Sequence, residues 1–268
     1  MKKNILTFLF ILSCLTDFQG QTYRIYYQMT YKIDSTKNES ANKKMLLDVK
    51  DEISKFYSYD LYHIDSLALH NIDVRTKSAD FDFMIAKNKK ENKIEKYYII
   101  GLDRYSLKED CPKLDWKITE ETKNIDNINC QKATLHYKGR DWTAWFAKEI
   151  PFQEGPYVFN SLPGLIIDIR DSGDNYIFTM TELKKDNGEV NMETDFIPVT
   201  QKQLNKLYLD YYNDPYKELK AGKAVMKVVD ESGREVTPNF KQLTEFKQKL
   251  LKNNNNNPIE LSEATKYP

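Results

Sequence analysis

The sequence predicts a mainly β protein: an antiparallel meander sheet followed by C-terminal helices. Three observations predict it. Short segments of alternating apolar and polar residues recur from residue 23 to residue 183, separated by turn-forming residues. No pattern of crossover helices separates them before residue 200, which argues against a parallel α/β sheet. Tyrosine is abundant, with 18 residues, while Gly and Pro number nine each, a balance that suits strands.

The elements follow in order. Tyr23, Ile25, Tyr27, Met29, Tyr31 and Ile33 alternate with Arg24, Gln28, Thr30 and Lys32, a period of two that predicts a long half-buried strand. Residues 44–50 and 52–59 read as a hairpin turning at Lys50-Asp51, and residues 60–71 as a short helix capped by Asp60. Strands are predicted over 81–86 and 95–101, over 114–119 and over 129–137, with the polar run up to Asn127 as a turn. Residues 141–148, 165–170 and 174–183 complete the sheet. A helix over 200–219 meets Pro215, and residues 224–229 form a further strand. A second helix over 239–252 has Thr237 as its cap and Pro238 at its first position. The run Asn253–Asn257 is low in complexity and predicts a flexible surface tail.

The N-terminus reads as an address. Lys2 and Lys3 precede the apolar run Ile5–Leu15, which is too short to span a bilayer as a helix, and Gly20 offers a cleavage point. Residues 1–20 are therefore expected to be a signal segment, residues 21–190 the β domain and residues 191–268 a helical extension packed on it. The alternative, lipidation at Cys14, requires a lipoprotein box that Ile11-Leu12-Ser13-Cys14 matches incompletely. The predicted location is periplasmic or secreted. With 40 basic and 40 acidic side chains interspersed, the chain lacks the basic excess that nonspecific nucleic-acid binding needs.

Two further cysteines, Cys111 and Cys130, make a candidate disulfide in an exported chain; closing that loop is worth roughly 3 kcal/mol. The alternative is two separate thiols. The chain has no Gly-x-Ser-x-Gly turn, His-Glu-x-x-His, Cys-x-x-Cys or phosphate loop, and no cofactor or metal site is predicted. His63 and His70 stand seven apart without a visible third ligand. An enzyme, such as an envelope hydrolase, would need His136, Asp168 and Cys130 to converge in one cleft.

The best-marked stretch runs from Gly139 to Asp171 and holds two tryptophans, three prolines and three of the glycines, yet few reactive groups. Pro163-Gly164 reads as a turn with Gly at positive φ, and Gly155-Pro156 as a second chain reversal. Asp168 stands among Ile166, Ile167 and Ile169, where a carboxylate needs a partner such as Arg140 or Arg170. The bulky groups between the turns, Tyr157, Phe159 and Leu162, either plug their own core or offer a binding surface.

These residues carry a resemblance. Ser161-Leu162-Pro163-Gly164-Leu165-Ile166, with Gly155-Pro156-Tyr157, Trp142-Thr143-Ala144-Trp145-Phe146 and Lys138-Gly139-Arg140 before it and Asp168 and Asp171 after, resembles the signature of the GLPGLI family. That resemblance, most specific from Asp115 to Phe178, implies an exported cell-envelope protein of Bacteroidota type and brings no catalytic residues. Ser161 stands where the family motif has Gly, so an ordinary negative φ is expected there. A weaker likeness, to lipoprotein-carrier folds, implies that the meander is a curved, half-barrel-like sheet that wraps apolar ligands. The expected function is binding of a lipid-like or peptide ligand, or of an outer-membrane partner. Trp142, Trp145, Tyr157, Phe159, Leu162, Tyr27 and Tyr31 would form the wall. A structural subunit of an outer-membrane assembly and a hydrolase are the alternatives.

Overall fold

The computed structural model describes residues 20–63, 82–229 and 231–268. The predicted leader with Cys14, the greater part of the 60–71 helix and His70 lie outside the described residues; of that helix, 59–63 form a helical turn.

Six strands run as one meander: β1 (Thr22–Tyr31), β2 (Ala41–Lys50), β3 (Ile53–Ser58), β4 (Ile85–Asn88), β5 (Lys93–Ile100) and β6 (Asp103–Asp110). A second meander returns through β7 (Lys117–Ile125), β8 (Ile128–Tyr137), β9 (Arg140–Ala147), β10 (Leu165–Asp171) and β11 (Tyr176–Asp186). β11 pairs antiparallel with β1, which joins the two meanders. A two-residue strand, β12 (Ile197–Pro198), adds in parallel to β6. The order is β12-β6-β5-β4-β3-β2-β1-β11-β10-β9-β8-β7. Among the described residues no strand pairs beyond β12 or β7, and the sheet is not closed into a barrel.

The sheet is nevertheless rolled. β5 and β8 are eight strand spacings apart in that order, about 38 Å if the sheet were flat. Yet Lys96 of β5 and Tyr137 of β8 both reach Oε1 of Glu260, at 2.6 and 3.5 Å. Strand twist and a bulge where β11 passes Tyr26 and Tyr27 supply the curl.

The alternating face of β1 is the inner one. Ile25, Tyr27 and Met29 are buried with Met45 and Leu47 of β2, Phe56 of β3, Trp142 and Phe146 of β9 and Phe178 of β11. On the outer face a smaller cluster, with Leu46, Tyr57 and Met84, lies under Tyr62, Met192 and Phe196. Arg24, on that face, bridges Asp48 and Asp186 and stacks on Tyr62.

β6 carries no clear alternation in sequence and was not expected. β7 runs through the stretch predicted as a turn; its residues are exposed on both faces, so no period of two marks it. Helix α1 (Gln201–Asn213) starts in a capping box between Thr200 and Gln203 and ends before Pro215. It packs Leu204 on Ile100, Tyr105 and Leu107. A turn of helix, α2 (Lys217–Lys220), follows, then a ribbon of β13 (Val228–Val229) and β14 (Glu235–Val236). Helix α3 (Phe240–Asn253) is capped by Asn239, whose side chain accepts from the Gln242 amide, and not by Thr237. Among the described residues no helix is long and apolar enough to cross a membrane.

Candidate functional site

The loop from Lys148 to Gly164 folds into the roll and fills it. Tyr157, Val158, Phe159 and Leu162 are buried, and Phe159 packs on Trp142 at 4.6 Å. The Tyr27 hydroxyl donates to the Ile166 carbonyl, fixing β1 to β10. Tyr27, Trp142, Phe159 and Leu162 therefore belong to the core and not to a ligand-facing wall, a correction to the expected binding set. The cause is the loop itself, which occupies the concavity the sheet would otherwise present. Trp145 points away from the loop, half-buried under the Lys123 ammonium at 4.2 Å.

Backbone geometry explains the motif's small residues. A Cβ on Gly164 would lie 2.1 Å from the Ala147 carbonyl oxygen, and one on Gly155 would lie 2.6 Å from Ile166 Cδ1. Gly164 is thus required by close backbone approach, more than by the turn anticipated at Pro163-Gly164. Ser161 has φ 68°, so it adopts the left-handed conformation that glycine favours, against the expectation of an ordinary φ.

Beside the filled core lies an open cleft of about 940 Å³. One wall is an aromatic cluster. Tyr31 stacks on Tyr176 at 6.2 Å and meets Phe83 edge-on at 5.6 Å, with the Lys43 ammonium over both Tyr31 and Phe83. A second wall is Tyr98 of β5 with Tyr208 of α1, perpendicular at 6.4 Å. Tyr157 and Lys96 also line it. Of the seven residues expected to form the binding wall, Tyr31 and Tyr157 do line a cleft. Burial pushes the phenols of Tyr98, Tyr157, Tyr176 and Tyr208 upward, so they stay protonated and offer both a donor and an acceptor. Phe83, a bulky residue at φ 63°, is held in an unfavourable backbone region where it joins the cluster.

The third wall comes from the C-terminal segment, through Asn254, Asn257, Pro258 and Ile259. Arg140 holds that segment. Its guanidinium pairs with Asp171 at 2.8 Å and donates to Asn257 Oδ1 and to the carbonyls of Pro258 and Ile259. Asp171 also accepts from the amides of Asn175 and Tyr176. Asn257, placed by sequence in a flexible surface tail, is instead buried and donates to the Lys32 carbonyl. Glu260 Oε1 accepts from Lys96, Tyr157 and Tyr137. Sequence reasoning missed Lys96, Tyr98, Tyr176, Tyr208, Asn257 and Glu260. The one available signal was Arg140 itself, since a guanidinium among strands of apolar residues needs its donors satisfied.

Asp168 forms a structural ion pair, as expected, with Arg170 at 3.1 Å, and accepts from the Thr179 hydroxyl. A second buried pair joins Lys87 of β4 to Glu154 of the loop at 2.5 Å, with Lys89 at 3.0 Å. Burial opposes the charge on Glu154, but the two lysines win and hold its carboxyl below the usual range.

The residues of the enzyme alternative do not converge. Cys130 and His136 are six residues apart on β8, about 20 Å along the strand. Asp168 lies two strands away, across Trp145 from Lys132. His136 instead pairs with the exposed Asp141 at 2.7 Å. Cys111 and Cys130 are free thiols, which corrects the candidate disulfide. Cys111 is tied to the β4–β5 turn by its amide, and Cys130 is buried on β8. Burial pushes both thiols up, Cys130 to about 11. His63 stacks on Tyr59. Among the described residues no group of three or more His, Cys, Asp or Glu is placed to hold a metal ion.

Comparison with known proteins gives a match to one family profile over a short segment and a likeness of fold. No curated protein matches the chain by sequence. Two solved structures of PNGF-II, in the P21 and C2 space groups, are similar with TM-scores of 0.53 and 0.50 at 16% identity. Each likeness covers 70% of this chain and 33% or 32% of the other, so the chain spans about a third of those proteins' length. At this identity the likeness concerns the fold alone. The profile of a family described as "Protein of unknown function (Porph_ging)" matches residues 135–168, which is the end of β8, β9, the plug loop and the start of β10.

Proposed function

We propose that this is an exported cell-envelope binding protein of the GLPGLI type, and that its ligand is an extended, amphipathic peptide held in the tyrosine-lined cleft. The cleft carries the reading. It is built from aromatic faces with protonated hydroxyl tips, and Lys96 adds a charged group to its lining. Such a lining suits a ligand that alternates apolar groups with hydrogen-bonding ones. A lipid chain wants an enclosed apolar chamber, and here the plug loop takes up that volume. The signal-like residues 1–20 and the family profile over the motif support export and the family assignment.

The test uses a pool of octapeptides mixed with the full chain, separated by size exclusion and read by mass spectrometry. Enrichment of a subset, lost in Tyr31→Ala and Tyr208→Ala, is the expected result. No enrichment, or enrichment that both variants retain, would sink the reading. A scaffold role in an outer-membrane assembly is the second reading. The C-terminal appendage favours it, since Val225, Val229 and Phe246 lie exposed there, Phe246 at 62%. Pull-down from solubilised membranes separates the two.

A further inference from the structure

Residues 254–263 run along the cleft as a strap whose only regular element is a 3₁₀ turn at Leu261–Glu263. Within it Asn257 and Ile259 are buried, while the side chains around them are mostly exposed. The strap is held through both its main chain and its side chains. Arg140 takes the carbonyls of Pro258 and Ile259, the Tyr176 hydroxyl takes that of Asn257, and the Lys138 carbonyl accepts from the Ser262 amide. Four side chains add selectivity: Asn256 accepts from the Ser35 amide and donates to Asp34, Glu263 takes the Lys138 ammonium at 2.6 Å, and Asn257 and Glu260 reach further in. Asn257 sits between Arg140 and the Lys32 carbonyl, and Glu260 puts one oxygen against Lys96 at 2.6 Å and Tyr157 at 2.9 Å. Lys96 has a side chain only 6% exposed.

That is the manner in which a receptor reads an extended peptide: main-chain and amide contacts for affinity, one apolar pocket and two acidic groups, of which Glu260 is the buried one, for specificity. The groups that do the reading belong to the β1–β2 loop, β5, the β8–β9 hairpin, β11 and the plug loop, so they remain in place when the strap leaves. We infer that the strap is an internal ligand. Residues 256–263 fill in cis a site that takes an extended peptide with an Asn-Pro-apolar-acidic pattern, and such a peptide displaces the strap and widens the cleft. The inference rests on the peptide-binding reading above. It adds the ligand's acidic group and the competition that regulates access: apparent affinity falls by the fraction of molecules whose strap is open.

The test uses full-length protein and a labelled copy of residues 256–263, Asn-Asn-Pro-Ile-Glu-Leu-Ser-Glu, read by fluorescence anisotropy. Glu260→Gln weakens the strap without altering its receptor. The labelled peptide should bind this variant roughly ten- to a hundred-fold more tightly than the wild type, as loss of a charge-assisted contact implies. A peptide with Gln for Glu should compete poorly, and Lys96→Gln added to Glu260→Gln should abolish binding. Hydrogen exchange should show residues 257–264 losing protection as peptide is added, with β1 and β9 unchanged. If Glu260→Gln does not fold, Ile259→Ala loosens the strap by another contact and carries the same expectation. Equal binding to wild type and variant, or none to either, overturns the inference. Should octapeptides from the pool still bind in a Tyr208-dependent way, only the strap inference falls and the cleft reading stands.

Discussion

Removing the Arg140 guanidinium should be among the most damaging single changes in the described structure. Its side chain and that of Asp171 are 4% and 3% exposed. Arg140→Ala strands the Asp171 carboxylate and leaves Asn257 Oδ1 and the carbonyls of Pro258 and Ile259 without their shared donor. Breaking a buried pair from one side costs about 3–5 kcal/mol. Asp171 keeps the amides of Asn175 and Tyr176 and the Asn175 side chain, which places its share at the lower end. The strap contacts and the stacking of the guanidinium on Tyr176 at 5.0 Å bring the total to about 4 kcal/mol. Since domains are stable by about 5–15 kcal/mol, the variant should remain foldable but marginal. Arg140→Lys keeps the charge and loses the fork, and should cost about half as much. Urea unfolding followed by tryptophan fluorescence measures the midpoints, and a cycle with Asn257→Ala should return a coupling of about 1–2 kcal/mol. A loss below about 1 kcal/mol for Arg140→Ala, with no coupling to Asn257, would refute the clamp.

Three further outcomes follow from the same structure. Ser161→Gly should stabilise by about 0.5 kcal/mol, because relief of a left-handed serine at about 1–2 kcal/mol outweighs the glycine entropy of about 0.5–1; an unchanged or lower melting temperature would show the φ to be harmless. Reductant should leave the unfolding midpoint unchanged, and alkylation of unfolded, unreduced protein should label both Cys111 and Cys130, whereas a single disulfide-linked tryptic pair would contradict the free thiols. Glu154 has a depressed folded pKa, so its contribution is present above the unfolded value near 4.5 and is lost as pH falls through the folded one. Stability of the wild type should therefore drop on acidification below about pH 4.5 more steeply than that of Glu154→Gln, and parallel profiles would remove the Lys87–Glu154 pair from the account.

How far the sequence carries depends on what each residue answers to. β1 was legible because its two faces meet different environments, the core on one side and Arg24, Gln28 and Thr30 on the other. β7 was not, because both its faces are wet and nothing selects an alternation. The Asn253–Asn257 run was misread for a related reason: composition describes the average environment of a segment, while a single buried contact decides Asn257. Ser161 shows the reverse limit, since a backbone dictated by packing on both sides holds a serine where the local preference is for glycine. Of the candidate site, only Tyr31 and Tyr157 were within reach. The rest of the cleft comes from β5, β11, α1 and the strap, which are brought together by the roll of the sheet, a property that local patterns do not express.

The lack of reactive groups in the Gly139–Asp171 segment now has a physical reason. Gly155 and Gly164 admit the close approach of Ile166 and Ala147, Phe159 and Leu162 fill the roll, and Arg140 and Tyr157 turn their polar ends to the strap. Each of these positions meets a demand of the scaffold or of the strap. The surfaces left for a ligand belong mainly to Tyr98, Tyr208 and Phe83, at positions that carry no motif. It follows that a chain with this segment could keep the plug, the clamp and the strap while changing its ligand through β5 and α1 alone. Exchanging Tyr98 and Tyr208 for Leu should accordingly alter which octapeptides are retained without shifting the unfolding midpoint by more than about 1–2 kcal/mol, because their rings pack at the edge of the cleft and not within the plug.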